Sequence, residues 1–115
     1  MENLSKNQKR ELLILLSKMG HDSMWKIEAV KKWLLEIGIH VQIDEDKQTL
    51  LIFNQHIALA EPEWGDPGIH APSIAYTIAR LENIETNSDY TGKGFIFKDI
   101  LDKLSKHWGL DEKFM

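Results

Sequence analysis

All three prolines of this 115-residue chain lie in one short segment, residues 61–72, together with two of its seven glycines. Proline lacks a backbone N–H and has a fixed φ, so this segment cannot be a regular helix or a central strand. The segment is also rich in functional groups, because it contains three carboxylates, a tryptophan and a histidine. Binding groups often lie on loops that a rigid scaffold holds in place, which makes the segment the first candidate for a site.

The first third of the chain begins with the pattern of a long helix. Residues 5–8 have the form of a capping box, and an apolar stripe continues to about Met19. Gly20 then predicts the end of the helix. Because Leu13 and Ile14 widen the stripe, we expect this helix to be contacted from more than one side.

A second helix is predicted after a short connection. Asp22 or Ser23 would cap it, and Trp33 is one of its inward apolar positions. Gly38 would end it after about Ile37. Because the connection is short, the two helices should pack as a hairpin or at a helix-turn-helix angle.

The apolar spacing then changes to the alternation typical of strands. Residues 39–43 predict one strand, residues 45–47 a turn, and residues 49–53 a second strand. A third short strand is predicted at residues 56–60, and one continuous bulged strand is the alternative.

Two further helices are predicted after the proline-rich segment. Pro72 and Ser73 would open the first of them, and residues 94–107 carry the apolar stripe of the second. The predicted fold is therefore α+β, with two N-terminal helices, a small antiparallel sheet of two or three strands and two C-terminal helices. We expect residues 1–115 to form a single compact domain.

Composition narrows the classes of function. The chain has no cysteine, which excludes disulfides and thiolate chemistry, and no apolar run approaches the roughly 18 residues of a membrane helix. We therefore expect a cytoplasmic protein with no membrane partner. Residues 38–72 hold six carboxylates and one lysine, a net charge of −5, which is the opposite of the basic excess that phosphate-backbone binding requires.

The favoured hypothesis is a small non-catalytic protein, without a cofactor, that binds another macromolecule. We expect a basic protein partner, with this chain acting as an inhibitor, an immunity-type protein or a regulatory adaptor. Trp64 would be the apolar anchor of an acidic surface, unless it fills the core beneath its loop. The predicted partner-binding residues are Asp44, Glu45, Asp46, Glu61, Glu63, Trp64 and Asp66.

A DNA-binding regulator is the first alternative. Residues 10–53 have the order of a winged helix-turn-helix, with residues 24–36 as the recognition helix. The acidic residues 44–46 would form the tip of the wing and would repel phosphates, which weakens this hypothesis.

A metal-dependent enzyme that uses residues 61–70 is the less favoured alternative. Carboxylate oxygens and imidazoles suit zinc or manganese. The candidate ligands are Glu61, Glu63, Asp66 and His70, with His56 as a further candidate. No fixed ligand spacing supports such a site, and solvated carboxylates in a loop explain the pattern equally well.

Overall fold

A computed structural model describes residues 4–60, 67–84 and 94–110, and these residues form four helices and five short strands. The elements follow in the order α1 (Lys6–Met19), β1 (Met24–Lys26), α2 (Ile27–Ile37), β2 (Val41–Asp44), β3 (Thr49–Ile52), β4 (Gln55–Ala58), β5 (Gly68–His70), α3 (Ala71–Leu81) and α4 (Gly94–His107). The predicted α+β class is confirmed, with helices on both sides of a small antiparallel sheet in the chain order.

The strands form two antiparallel sheets that meet at one bridge. Strands β2, β3 and β4 form a meander in sequence order, while β1 pairs with β5. An isolated bridge between Ala60 and Gly68 connects the end of the meander to β5. The chain therefore leaves the meander after β4 and returns as β5, which lies beside the end of the meander.

The structure confirms both predicted ends of α1 and the predicted end of α2. Ser5 and Gln8 form the capping box at the start of α1, and Gly20 follows its last residue. Gly38 ends α2 in the left-handed region at φ 89°. The next amide, of Ile39, donates to the carbonyl of Leu34, which is the hydrogen bond of a Schellman motif.

One hydrophobic cluster joins the helices and the sheet. Leu16 of α1, Leu34 of α2, Leu50 of β3, Ile74 of α3 and Leu101 of α4 all have 0% exposure in it. Helix α1 contacts each of the other three helices, as its wide apolar stripe predicted.

The predicted third strand is present, and a tight turn separates it from β3. Phe53 and Asn54 connect β3 to β4 with φ values of 52° and 63°. Two consecutive residues with positive φ are typical of the type I′ turn, whose twist suits a hairpin. The alternative of one continuous bulged strand is therefore wrong.

The predicted start of the second helix is wrong by several residues. Met24–Lys26 forms strand β1, and α2 begins at Ile27 with Lys26 as its N-cap and no side-chain cap. The reason is tertiary, because β1 pairs with β5 and the amide of Ile27 donates to the carbonyl of Pro67 at 3.0 Å. Residues 22–23 favour a helix start locally, but pairing with a strand more than 40 residues away in sequence makes the next residues a strand instead.

The proline-rich segment also contains a strand that the sequence did not predict. Gly68–His70 forms β5, in which Ile69 is buried, and Pro67 and Pro72 flank this strand rather than interrupt it. Pro72 lies in the first turn of α3, as predicted. No helix in the described ranges is long and apolar enough to cross a bilayer.

Candidate functional site

The acidic turn, which we define as residues 44–48, connects β2 to β3. The Asp44 carboxylate accepts a hydrogen bond from the backbone N–H of Lys47 at 3.1 Å. The side-chain amide of Gln48 donates to the carbonyl of Glu45 at 2.6 Å. These contacts hold the backbone of the turn while the side chains of Glu45 and Asp46 stay exposed.

The acidic turn is hydrogen-bonded to the chain just before segment 61–66. The backbone N–H of Leu59 donates to the carbonyl of Gln48 at 2.9 Å. The next residue, Ala60, exchanges two backbone hydrogen bonds with Gly68, of 2.8 and 2.9 Å. The chain therefore enters and leaves segment 61–66 near the acidic turn.

A shallow depression of about 320 Å³ connects these parts of the surface. Glu45 and Gln48 of the turn line it, together with Leu59 and Pro67 on either side of segment 61–66. Glu28 of α2 also lines the depression and adds a further carboxylate. Lys26 also lines it, so the described lining carries two carboxylates and one cation.

The structure locates only part of the predicted partner-binding set. Asp44, Glu45 and Asp46 lie together in the acidic turn, as predicted. Glu61, Glu63, Trp64 and Asp66 lie outside the described residues, and their role stays a prediction.

The histidines of the metal hypothesis each have a hydrogen-bond partner. His56 Nδ1 lies 2.8 Å from the hydroxyl of Thr49, and His70 Nδ1 lies 3.2 Å from the carbonyl of Ser23. Within residues 4–60, 67–84 and 94–110, no three histidine or carboxylate side chains are close enough to hold a metal ion. The remaining candidate ligands, Glu61, Glu63 and Asp66, lie outside these ranges.

The recognition helix of the DNA-binding hypothesis is shorter than predicted. The first three of residues 24–36 belong to β1, and the start of α2 is hydrogen-bonded to Pro67. The turn that would be the wing tip carries Asp44, Glu45 and Asp46. Both features make this face a poor match for a phosphate backbone.

A second concave surface, the tryptophan cleft, lies between α1 and α2. Its volume is about 620 Å³, which is within the range of small-molecule sites. Its apolar lining residues are Ile14, Leu15, Met19, Trp25, Trp33 and Ile37, and its polar ones are Asn7, Gln8, Glu11, Lys18 and Glu36.

The two tryptophans of this cleft are held in a defined arrangement. The rings of Trp25 and Trp33 meet edge to face, with centroids 5.4 Å apart and planes at 72°. The indole N–H of Trp25 donates to the carbonyl of Met19 at 2.9 Å. Both side chains are only partly buried, so the cleft presents a preorganised aromatic wall to solvent.

Sequence reasoning missed this cleft. The sequence pattern predicts Trp33 on the inward face of the second helix and Trp25 in the first turn of that helix, whereas Trp25 lies in β1 and both side chains line the cleft. The sequence contains one signal for the cleft, namely the apolar stripe of α1, which is wider than a helix with a single buried face needs. Ile14 widens the apolar stripe and Leu15 belongs to it, and both are half-buried and line the cleft.

Comparison with known proteins gives no match, since no protein-family model, curated sequence or solved structure is significantly similar to the chain.

Proposed function

We propose that this protein is a non-catalytic binding protein whose acidic surface contacts a basic protein partner. The surface combines the acidic turn with the carboxylates of segment 61–66. One observation carries the proposal, namely that the chain enters and leaves segment 61–66 at residues hydrogen-bonded to the acidic turn or to its neighbours. On this proposal, the carboxylates of segment 61–66 join those of the acidic turn in one region of the surface.

Electrostatics explain what such a surface does. An excess of carboxylates over cations around a concave surface produces a local negative potential, which raises the rate of encounter with a basic partner. The hydrogen bonds of Asp44 and Gln48 fix the turn, so Glu45 and Asp46 are presented with little loss of backbone entropy on binding. Affinity then depends on an apolar anchor, the role proposed for Trp64.

The biological uses that fit are those in which a small acidic protein occupies a basic site on another protein. An inhibitor, an immunity-type protein and a regulatory adaptor all work in this way. Their shared chemistry is a charged contact that steers association and an aromatic anchor that slows dissociation.

The turn variant Glu45→Gln/Asp46→Asn tests the charged contact. A partner captured from nuclease-treated lysate should associate more slowly with this variant, and the rate should depend less on ionic strength. Asp22→Asn/Asp99→Asn is the matched control, because it changes the net charge by the same amount at exposed positions outside the turn. Equal rates for the turn variant and wild type would contradict the proposal. Capture of nucleic acid alone would favour the DNA-binding hypothesis instead.

Trp64→Ala tests the anchor. Folding should stay nearly intact, while binding to the captured partner weakens by about 2 kcal/mol or more. Global unfolding of this variant in circular dichroism would show that Trp64 belongs to the core and would contradict its role as an anchor.

A further inference from the structure

The tryptophan cleft is polar at one end. The side-chain amide of Gln8 donates to the carbonyl of Ile37 at 3.2 Å, which places the start of α1 beside the end of α2. Glu11 lies one turn further along α1, and Glu36 immediately precedes Ile37. Two carboxylates therefore line the same end of the cleft.

These carboxylates are open to a ligand. The Glu11 side chain is 44% exposed, and its ion pair is a long contact of 3.4 Å with the neighbouring Arg10. The Glu36 side chain is exposed and forms no hydrogen bond or ion pair with any other residue that the structure describes. A cation entering this end would gain two carboxylate partners without displacing a strong internal contact.

The aromatic part of the cleft adjoins the carboxylate end, because Trp33 lies one turn before Glu36 on α2. Trp25 is fixed to Met19 at the end of α1, and Trp33 packs against Trp25. Among the lining residues that the structure describes, Lys18 is the one cation, and it is seven residues beyond Glu11, or about 10.5 Å along the helix axis. Outside the lining, Arg10 contacts Glu11, and Lys31 and Lys32 share a neighbouring depression with Glu36, so the charge of the carboxylate end is partly compensated.

The dimensions of the cleft select the kind of ligand. The lining runs along α1 from Asn7 to Met19, a helix length of about 18 Å. A cleft of about 620 Å³ has the size of a small-molecule site, so we take a small ligand as its occupant.

We propose that the tryptophan cleft binds a small amphipathic amine. The apolar body of the ligand packs on Trp25 and Trp33, and its ammonium group is held by Glu11 and Glu36. Cation–π attraction adds to binding where the ammonium group lies over the face of a tryptophan ring. This site is separate from the acidic surface, so the test of amine binding can fail while the proposed function holds, and the reverse is also true.

Three probes with the same apolar body and different charge test the proposal. 4-Phenylbutylamine, 4-phenyl-1-butanol and 4-phenylbutyrate are titrated into the full-length protein at pH 7 while the amide and indole resonances are followed by NMR. The amine should bind about fivefold more tightly than the alcohol, and the carboxylate most weakly. The shifts should include the Trp25 and Trp33 indoles. Tightest binding of the carboxylate, equal binding of all three, or shifts elsewhere would overturn the proposal.

The cleft variant Glu11→Gln/Glu36→Gln assigns the charge effect to these residues. It should bind the amine no more tightly than the alcohol, while its affinity for the alcohol is unchanged. Asp22→Asn/Asp99→Asn, with the same change of net charge, should keep the preference for the amine. An amine preference that survives in the cleft variant would overturn the assignment. Dilution of the free protein should leave the indole resonances in place, since a shift would show that a second copy covers the cleft.

Discussion

The acidic turn and the tryptophan cleft are built in opposite ways. The turn is local, because five consecutive residues provide its charges and the hydrogen bonds that hold it. The cleft is assembled from α1, β1 and α2, and Trp25 reaches it only because β1 pairs with β5. A local feature keeps its shape when distant packing is disturbed, whereas an assembled feature does not. The variants below test this difference.

Ile69→Ala should have the largest effect and should separate the two regions. Ile69 is 1% exposed and lies opposite Trp25 in the β1–β5 pair. Truncation leaves a cavity and should lower the free energy of unfolding by about 2–5 kcal/mol, measured by urea denaturation. The Trp25 indole should exchange its proton faster, while amide protection at the acidic turn changes less. A loss below about 1 kcal/mol would contradict the account of this strand pair.

Gly68→Ala should have a smaller effect through a single steric contact. A Cβ at this position would lie 2.7 Å from both Cγ and Sδ of Met24, inside van der Waals contact. We expect a cost of about 1–3 kcal/mol in the free energy of unfolding, as for other overpacked sites. The same substitution in a Met24→Ala background should cost much less. An unchanged cost in that background would show that the Met24 contact is not the cause.

Gln8→Ala should destabilise the carboxylate end of the cleft. Its side chain accepts from the Ser5 amide and donates to the Ile37 carbonyl, so the variant loses a capping contact and a link between helices. Each contact contributes about 1 kcal/mol, and thermal unfolding should show their combined loss. Ser5→Ala removes the cap alone and should cost less. Equal costs for the two variants would mean that the link to Ile37 contributes nothing.

Glu45→Gln/Asp46→Asn should have the smallest effect on stability. Both side chains are exposed, and neither carboxylate is a partner in the hydrogen bonds that hold the turn. The free energy of unfolding should change by less than about 0.5 kcal/mol. Asp44→Ala, which removes the acceptor of the Lys47 amide, should cost more, about 1 kcal/mol. The reverse order would show that the turn is not held as described.

The sequence predicts the parts of this fold that depend on neighbouring residues. The capping box at Ser5, the stop at Gly38 and the turn after Asp44 are all local patterns, and the structure contains each of them. The acidic turn, which is the part of the candidate surface that the structure describes, is also a local pattern. Its charges are visible in the sequence, and a hairpin turn places consecutive residues together.

The rest of the fold depends on contacts between distant residues, and the sequence does not reveal them. Residues 22–26 have acceptable helix-capping chemistry, and only their pairing with β5 makes part of them a strand. The tryptophan cleft follows from this same pairing, since Trp25 would otherwise lie on α2. The wide apolar stripe on α1 predicts that other elements pack over Leu15. It does not predict that Leu15 stays half-buried.

The most direct test of the account compares three proteins in one capture experiment. Wild type, the turn variant Glu45→Gln/Asp46→Asn and the cleft variant Glu11→Gln/Glu36→Gln are each used to capture protein from nuclease-treated lysate at low and at physiological ionic strength. We expect a basic protein that wild type and the cleft variant retain equally and that the turn variant loses first as the salt concentration rises. Equal retention by all three, or loss with the cleft variant alone, would contradict the assignment of partner binding to the acidic surface.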